Sequence, residues 1–312
     1  MTATTVPATT TTQASYEIID TVTATPPERA THRLNVWCPV VQDTTHQRVL
    51  DMEVRCGTGG DVAWQLTREA EFGNLMLHIA TTASHPISVR IRHLVERPTM
   101  AAAVDPARAR PLTTPELFTR TLQPEKHVDV DATTRDLATT ITGEETNPLE
   151  QARRFYDYVT GAMTYNAAEQ SFLGSTAHAL TCSVGNCNDI HALFVSLCRS
   201  AGIPARFVLG QALEAPAEAG ESCDVCGYHC WAEFFIAGLG WLPADASCAT
   251  KYGTHGLFGT LETNHIAWST GRDLLLAPPQ HAGRSLFLAA PYAEADGAAH
   301  PVQRHLTFTQ LS

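Results

Sequence analysis

Basic residues are scarce in this sequence: 21 Lys and Arg stand against 32 Asp and Glu in 312 residues, for a net charge of −11. The acidic residues are scattered rather than gathered in one block, and no basic patch that could neutralise phosphates is visible. Nucleic acid is therefore not an expected partner.

Long apolar runs are missing too. No stretch approaches the roughly twenty apolar residues that span a bilayer. Residues 1–14, MTATTVPATTTTQA, contain no Lys or Arg and lack the hydrophobic run of a secretory signal. We interpret residues 1–15 as a disordered Thr-rich lead, and we expect a cytoplasmic protein with no membrane partner.

Cysteine is too sparse for a disulfide-dense scaffold: the chain has nine, and the odd number leaves at least one thiol unpaired. Cys223 and Cys226, with His229 and Cys230 close behind, have the spacing of half a zinc site, but no second pair of this spacing exists. Structural zinc normally takes four ligands. We expect no metal and no cofactor, and a redox pair or plain buried thiols remain alternatives for Cys223 and Cys226.

Period-two alternation of apolar and polar residues, as in 86–92, predicts strands through the first third of the chain. Two β-like runs, 62–66 and 75–79, flank Phe72-Gly73-Asn74 and predict a hairpin. We assign an antiparallel β-domain to residues 16–97. Five prolines interrupt residues 98–146, which we interpret as a linker.

A helix is predicted from Asn147-Pro148, an N-cap residue followed by proline, to about residue 160. A second helix follows Cys187, with apolar residues at helical spacing up to Gly202-Ile203-Pro204. Strands are then predicted at 207–212 and 229–236, and a turn at 240–243 leads toward Asp245. For residues 279–312 we expect edge strands.

Cys187 lies at the predicted start of the second helix, where unpaired backbone N–H groups and the helix dipole stabilise a thiolate. A thiol nucleophile needs a base within hydrogen-bond reach and a third group that orients the base. His229 and Asp245, on or near the downstream strands, can supply both. Each residue also has a simpler interpretation: a buried structural thiol, a core histidine and a turn residue.

The strings GNCNDIHALFVSLCRSAGIPARFVLGQAL and YHCWAEFFIAGLGWLPADAS resemble the core of the transglutaminase-like superfamily. The four linked motifs are Gly-x-Cys at a helix start, Gly-Ile-Pro-Ala-Arg, His-x-Trp-x-Glu and Gly-Trp-x-Pro-x-Asp. The resemblance implies an α+β fold with a papain-like core, in which a helix N-terminus packs on an antiparallel sheet. We place this core at residues 147–278, behind the N-terminal β-domain. The resemblance also implies a Cys187, His229 and Asp245 triad.

Several neighbours of the triad have weaker assignments. Tyr165, Asn188, Tyr228 and Trp231 are candidate substrate-binding residues. For His191, one turn after Cys187, a packing role beside the site is preferred to a catalytic one. Glu233 shares a strand face with His229 and is interpreted as a structural hydrogen-bond acceptor.

These residues predict cysteine-dependent acyl transfer on a peptide or small amide through a thioester. Hydrolysis by a peptidase or amidase is favoured over amide formation with an amine acceptor, because water is always present and no amine-binding motif is visible. The alternative from another class is a non-catalytic binding or scaffolding protein with the same fold.

Overall fold

The computed structural model describes residues 12–27, 31–57, 62–101, 104–168, 173–214, 216, 218, 220–254 and 256–312. Two short 3-10 turns cover Pro106–Arg108 and Pro115–Phe118. The helices are α1 (Thr119–Leu122), α2 (Ala132–Thr142), α3 (Pro148–Ala162), α4 (Thr176–Cys182), α5 (Cys187–Ser200) and α6 (Ala246–Tyr252). Of the helices in these ranges, none has the length and hydrophobicity needed to cross a membrane.

The strands in chain order are β1 (Gln13–Ala24), β2 (His32–Pro39), β3 (Arg48–Cys56), β4 (Trp64–Arg68), β5 (Leu75–Ala83), β6 (Ile87–Pro98), β7 (Met100–Ala101), β8 (Thr164–Tyr165), β9 (Val184–Gly185), β10 (Ala205–Ala212), β11 (Ser222–Asp224), β12 (His229–Ile236), β13 (Gly240–Ala244), β14 (Thr260–Leu261), β15 (His265–Thr270), β16 (Tyr292–Ala295), β17 (Ala298–His300) and β18 (Val302–Gln310).

The N-terminal part of the fold is built on two five-stranded antiparallel sheets. Their strand orders are β11-β18-β1-β6-β3 and β17-β16-β2-β5-β4. Every second residue of β1 and β6 is buried, so one face of that sheet packs on apolar residues of β2 and β5. The predicted antiparallel β-domain is confirmed, and its predicted hairpin is the β4–β5 pair.

The sandwich is closed by strands from the far end of the chain. β18 pairs with β1 on one side and with β11 on the other, so it lies inside the sheet rather than at the predicted edge. Within the predicted disordered lead, residues 13–15 belong to β1, and residues 1–11 lie outside the described residues. Pairing between the two ends of the chain is non-local, which a reading of local patterns does not reveal.

The core is a four-stranded antiparallel sheet of order β13-β12-β10-β15, covered by α5 and, behind it, α3. Nearly all of α5 is buried. Gly210 on β10 admits the close approach of β15, because a Cβ there would lie 2.0 Å from the carbonyl oxygen of Ile266. The α+β architecture, with a helix N-terminus on an antiparallel sheet, is as predicted.

The helix starts follow from their capping residues. Asn147 accepts a hydrogen bond from the backbone of Leu149 and is followed by Pro148 at the first helical position, as predicted. The segment predicted as a linker contains α2, which begins at the capping residue Asp131 and contacts α3 and α5. Its Thr-rich sequence has a weak apolar stripe, so the packing of Ala138 decides the helix more than the pattern does.

Candidate active site

Cys187 is the first residue of α5, and only 8% of its surface is exposed. Asn186 forms a capping box with Asp189: its side chain accepts from the backbone N–H groups of Asn188 and Asp189. The first-turn N–H outside this cap is that of Cys187 itself. The sequence predicted several unpaired N–H groups at this helix start, but the Asn186 side chain occupies those of Asn188 and Asp189.

His229 and Asp245 lie where β12 and β13 bring them together beside α5. Asp245 Oδ2 is 2.7 Å from His229 Nε2, so Nδ1 is the ring nitrogen left to exchange a proton with Cys187. His229 is also hydrogen-bonded to Cys187. Cys187 therefore contacts His229, and His229 contacts Asp245, which is the order that a thiol, a base and an orienting carboxylate require.

The electrostatics of the three residues favour an ion pair. A hydrogen bond from Cys230, followed by the hydrogen bond and the charge of His229, holds the pKa of Cys187 well below its ordinary value despite burial. Burial alone would lower the pKa of His229, but the charge and hydrogen bond of Asp245 raise it well above its ordinary value. Both pKa shifts act in the direction that favours the thiolate–imidazolium pair.

Asp245 is fully buried and caps α6 rather than continuing β13. Its Oδ1 accepts from the Ser247 hydroxyl at 2.9 Å and from the backbone N–H of Cys248 at 2.8 Å. Its Oδ2 accepts from His229 and lies 3.1 Å from Nε2 of His265. Burial would raise the pKa of Asp245, but the charge and hydrogen bond of His229, then the hydrogen bond of His265, hold it well below its ordinary value.

His265 was not anticipated from the sequence. It begins β15, a strand for which no prediction was made from the sequence. One signal was available: the run His265 to Thr270 contains β-branched and aromatic residues and is long enough for a strand. Its proximity to Asp245 depends on β15 pairing with β10 and has no local signature.

His191 is a buried packing residue, as the sequence indicated. The backbone N–H of Ala246 donates to His191 Nε2 at 3.1 Å, so Nδ1 carries the ring proton and donates it to the carbonyl of Cys187 at 2.7 Å. Burial lowers the pKa of His191, consistent with a neutral ring. The residue ties α5 to α6 and so fixes Asp245 relative to Cys187.

Asn188 and Tyr228 form a hydrogen-bonded polar pair next to Cys230, which itself is hydrogen-bonded to Cys187. Cys230 Sγ lies 3.2 Å from Asn188 Oδ1, and Asn188 Nδ2 donates to the Tyr228 hydroxyl oxygen at 2.6 Å. Because that oxygen accepts from Asn188, its own O–H is left to donate elsewhere. The sequence predicted that both residues bind substrate; Asn188 is buried and contacts the Tyr228 hydroxyl.

Trp231 was predicted to bind substrate, but it is only 1% exposed and packs with Val208, Leu261 and Ala267. Its ring lies 6.1 Å from that of His229 and 5.3 Å from that of His265, so it supports the two histidines from beneath. Glu233 accepts hydrogen bonds from Arg206, which confirms its interpretation as a structural acceptor.

Two cavities meet at His229. One, of about 480 Å³, is lined by Gln211, Cys223, Asp224, Cys226 and Tyr228 among others. The second, of about 690 Å³, is lined by Tyr165, Cys248, Lys251 and His265 among others. Ala212, Leu213, Glu214, Tyr228 and His229 line both. Of the predicted substrate-binding residues, Tyr165 and Tyr228 thus face open space, and Cys223 and Cys226 lie at the rim of the smaller cavity.

The chain is similar to known proteins in the sequence of its core and in its fold. A model described as the transglutaminase-like superfamily matches residues 135–246. An uncharacterized protein of Haemophilus influenzae is 30% identical over 208 residues, and the match spans 56% of this chain and 56% of that protein's length. The crystal structure of a candidate cysteine protease from Cytophaga hutchinsonii aligns with a TM-score of 0.63 and 18% identity, over 96% of this chain and 92% of that one.

The structural alignment, at 18% identity, shows a shared fold, and the family match adds the sequence of the core. The matched segment contains Cys187 and His229 and ends just after Asp245. Residues 135–246 of this chain are therefore a core of the transglutaminase-like superfamily.

Proposed function

We propose that this chain is a cysteine-dependent enzyme that cleaves or transfers the acyl group of a peptide or small amide. The observation that carries the proposal is the contact between Cys187, at a capped helix start, and His229, whose other nitrogen is held by the buried carboxylate of Asp245. A buried thiol of purely structural value would have no use for such a base.

In the proposed reaction the Cys187 thiolate attacks the amide carbon, and a thioester forms as the C–N bond breaks. His229 gives its Nδ1 proton to the departing amine and then takes a proton from the incoming water. Asp245 keeps Nε2 protonated throughout, so Nδ1 remains the working nitrogen. Hydrolysis regenerates the thiolate–imidazolium pair and releases the acid.

The oxyanion of the tetrahedral intermediate is assigned to two donors: the backbone N–H of Cys187 and the hydroxyl of Tyr228. The N–H is the first-turn group that the Asn186 cap leaves out. The hydroxyl is held by Asn188 with its own proton available. Cys187 is among the charges that raise the pKa of Tyr228, after burial and Cys230, so the hydroxyl stays protonated and able to donate.

The two cavities, which share His229 in their linings, provide room for both halves of a peptide or small amide. Hydrolysis is preferred in this proposal to amide formation, since both cavities are open enough to admit water and an amine acceptor would have to compete with it. A cytoplasmic location goes with the proposal, because a reducing compartment keeps the nucleophile Cys187 a free thiol.

The test is to trap the thioester. Wild-type protein is incubated with a library of peptides and small amides, quenched in acid, and analysed by mass spectrometry. We expect an acyl adduct on Cys187 and none on Cys187→Ala, which should remain folded because Ala is a good helix former and the change removes only the buried sulfur atom. An adduct on another thiol, or ordinary reactivity of Cys187 with no adduct from any amide, would instead favour the non-catalytic binding protein.

A further inference from the structure

His229 and Asp245 have two further neighbours that the proposed reaction does not use. Cys248 Sγ lies 3.7 Å from His229 Nε2, and His265 Nε2 lies 3.1 Å from Asp245 Oδ2. One ligand atom from each of the four residues lies within 4.8 Å of every other. Among the described residues, this is the group of His, Cys, Asp and Glu side chains that could hold a metal ion.

The four side chains are a zinc-like ligand set. Two imidazoles, a thiolate and a carboxylate bind Zn²⁺ at about 2.0–2.3 Å, which puts tetrahedral ligand atoms roughly 3.3–3.8 Å apart. Along the contacts named the atoms are 2.7, 3.1 and 3.7 Å apart, and the other pairs lie within 4.8 Å. Around an ion the shortest contacts would lengthen slightly and the widest pairs would close by up to about 1 Å. The thiolate and the carboxylate together neutralise its two charges, as a buried site requires.

The hydrogen bonds around His265 point to a ligand independently. Its Nδ1 is 2.8 Å from Asn264 Oδ1, and the Asn264 amide is oriented by donation from Nδ2 to the Leu213 carbonyl at 2.9 Å. Both ring nitrogens of His265 therefore face oxygen acceptors, but a neutral imidazole has one N–H. A metal on Nε2, with the proton on Nδ1 donated to Asn264, satisfies both, and this is the usual environment of a zinc-bound histidine.

An ion has a path to this site. His229, Cys248 and His265 all line the cavity of about 690 Å³, and Cys248 is partly exposed. Asp245 Oδ1 is already occupied by Ser247 and by the backbone of Cys248, which leaves Oδ2 as the ligand atom.

We propose that Zn²⁺, or a similar divalent transition metal, binds reversibly to His229, Asp245, Cys248 and His265 and switches the enzyme off. On binding, four metal–ligand bonds form and no oxidation state changes. The Cys248 thiol and the His229 imidazolium each lose one proton to solvent, and the single His265 proton sits on Nδ1. His229 and Asp245 are then unable to serve Cys187, so metal occupancy and turnover exclude each other. The inhibitory role rests on the proposed function; the site itself does not.

The site is tested by titrating the full-length protein with Co²⁺ and following absorption. Wild-type protein should bind one Co²⁺ with a thiolate-to-cobalt band, and Zn²⁺ should displace it. Cys248→Ser should lose the band and His265→Gln should weaken binding at least about tenfold. Cys226→Ser, a matched thiol change at the other cavity, should behave as wild type. A wild-type band in Cys248→Ser, or no band in wild-type protein, overturns the site.

Two further measurements separate this inference from the proposed function. Cys187→Ala lacks the nucleophile but keeps all four ligands, so it should bind Co²⁺ as wild type even though it has no turnover. In wild-type protein, Zn²⁺ should abolish turnover and a chelator should restore it, with at least about tenfold lower sensitivity in Cys248→Ser. If Zn²⁺ inhibited wild-type protein and Cys248→Ser equally, the inhibiting ion would bind elsewhere and the proposed inhibition through this site would be wrong.

Discussion

Asp20 in the sandwich and Asp245 in the core are both completely buried, but the two carboxylates meet different partners. In the sandwich, Asp20 is held by Arg304 through contacts of 2.8 to 3.1 Å, and Arg304 also stacks over Trp268. In the core, Asp245 is held by two histidines, a hydroxyl and a backbone N–H. Burial of the charge is common to both.

The difference lies in what the partner can do with a proton. An arginine keeps its charge at all relevant pH values, so the Asp20 pair is a permanent structural link. A histidine gains or loses a proton near neutrality. Asp245 raises the pKa of His229, and His229 in turn lowers the pKa of Cys187. A buried carboxylate thus indicates a catalytic site only when its partner can exchange a proton and lines a cavity, as His229 does.

The largest effect is expected from Asp245→Asn. The amide would donate to His229 Nε2 and hold the tautomer with its proton on Nδ1, which leaves no base for Cys187. Turnover should fall by about four orders of magnitude, as it does for the same substitution in the Ser-His-Asp triad of serine proteases. Steady-state kinetics on the trapped substrate measure it, and wild-type turnover in a folded Asp245→Asn would rule out the mechanism.

Asp20→Asn is the counterpart in the sandwich. It leaves Arg304, whose side chain is only 15% exposed, without a countercharge, which should lower the free energy of unfolding by about 3–5 kcal/mol. Turnover of the folded fraction should stay within about twofold, because Asp20 is not connected to the site. Denaturant melts and kinetics on the same preparations check both, and a large loss of turnover without destabilisation would break the comparison.

Tyr228→Phe removes the proposed oxyanion donor without changing the ring. Turnover should drop by about 10²–10³, the usual cost of one such donor. KM should change little, since the hydrogen bond strengthens in the transition state. Alkylation of Cys187 should be unaffected. If Tyr228→Phe slowed alkylation as much as it slowed turnover, Tyr228 would act on the reactivity of the thiol rather than on the oxyanion.

The smallest effect is expected in the alkylation rates of Cys187 and Cys248, the two thiols that contact His229. Hydrogen bonds from Cys230 and His229 lower the pKa of Cys187, so its alkylation rate should stay flat from neutral pH downward until its thiolate is protonated. Burial raises the pKa of Cys248, so its rate should climb only on the alkaline side. At neutral pH Cys187 should react at least about tenfold faster. Mass spectrometry of each alkylated peptide gives both rates; the reverse order would remove Cys187 as the nucleophile.

Local signals carried much of the fold and the centre of the site. Asn147-Pro148 marks the start of α3, Asn186 that of α5, and β12 spans the predicted residues 229–236. Capping and period-two alternation act within a few residues, so they can be read from the chain. The position of Cys187 at a helix start followed from the same signals, and the resemblance to the transglutaminase-like core implied His229 and Asp245 as its partners.

Other features needed the folded chain. α2 in the predicted linker, β18 inside the sandwich sheet and Trp231 beneath the histidines instead of in the pocket depend on contacts between distant segments. So does the arrival of His265 at Asp245, which requires β15 to pair with β10 across Gly210.

The sequence by itself determined which residue types were available and where helices and strands could begin, because those choices depend on hydrogen bonds and packing within one or two turns of chain. Only the tertiary structure decided which of them meet. Cys230 reaches Cys187, and Cys248 and His265 reach the His229–Asp245 pair, because α5, α6 and three strands converge on one buried carboxylate. Such convergence is set by the packing of whole elements, which no short stretch of sequence encodes.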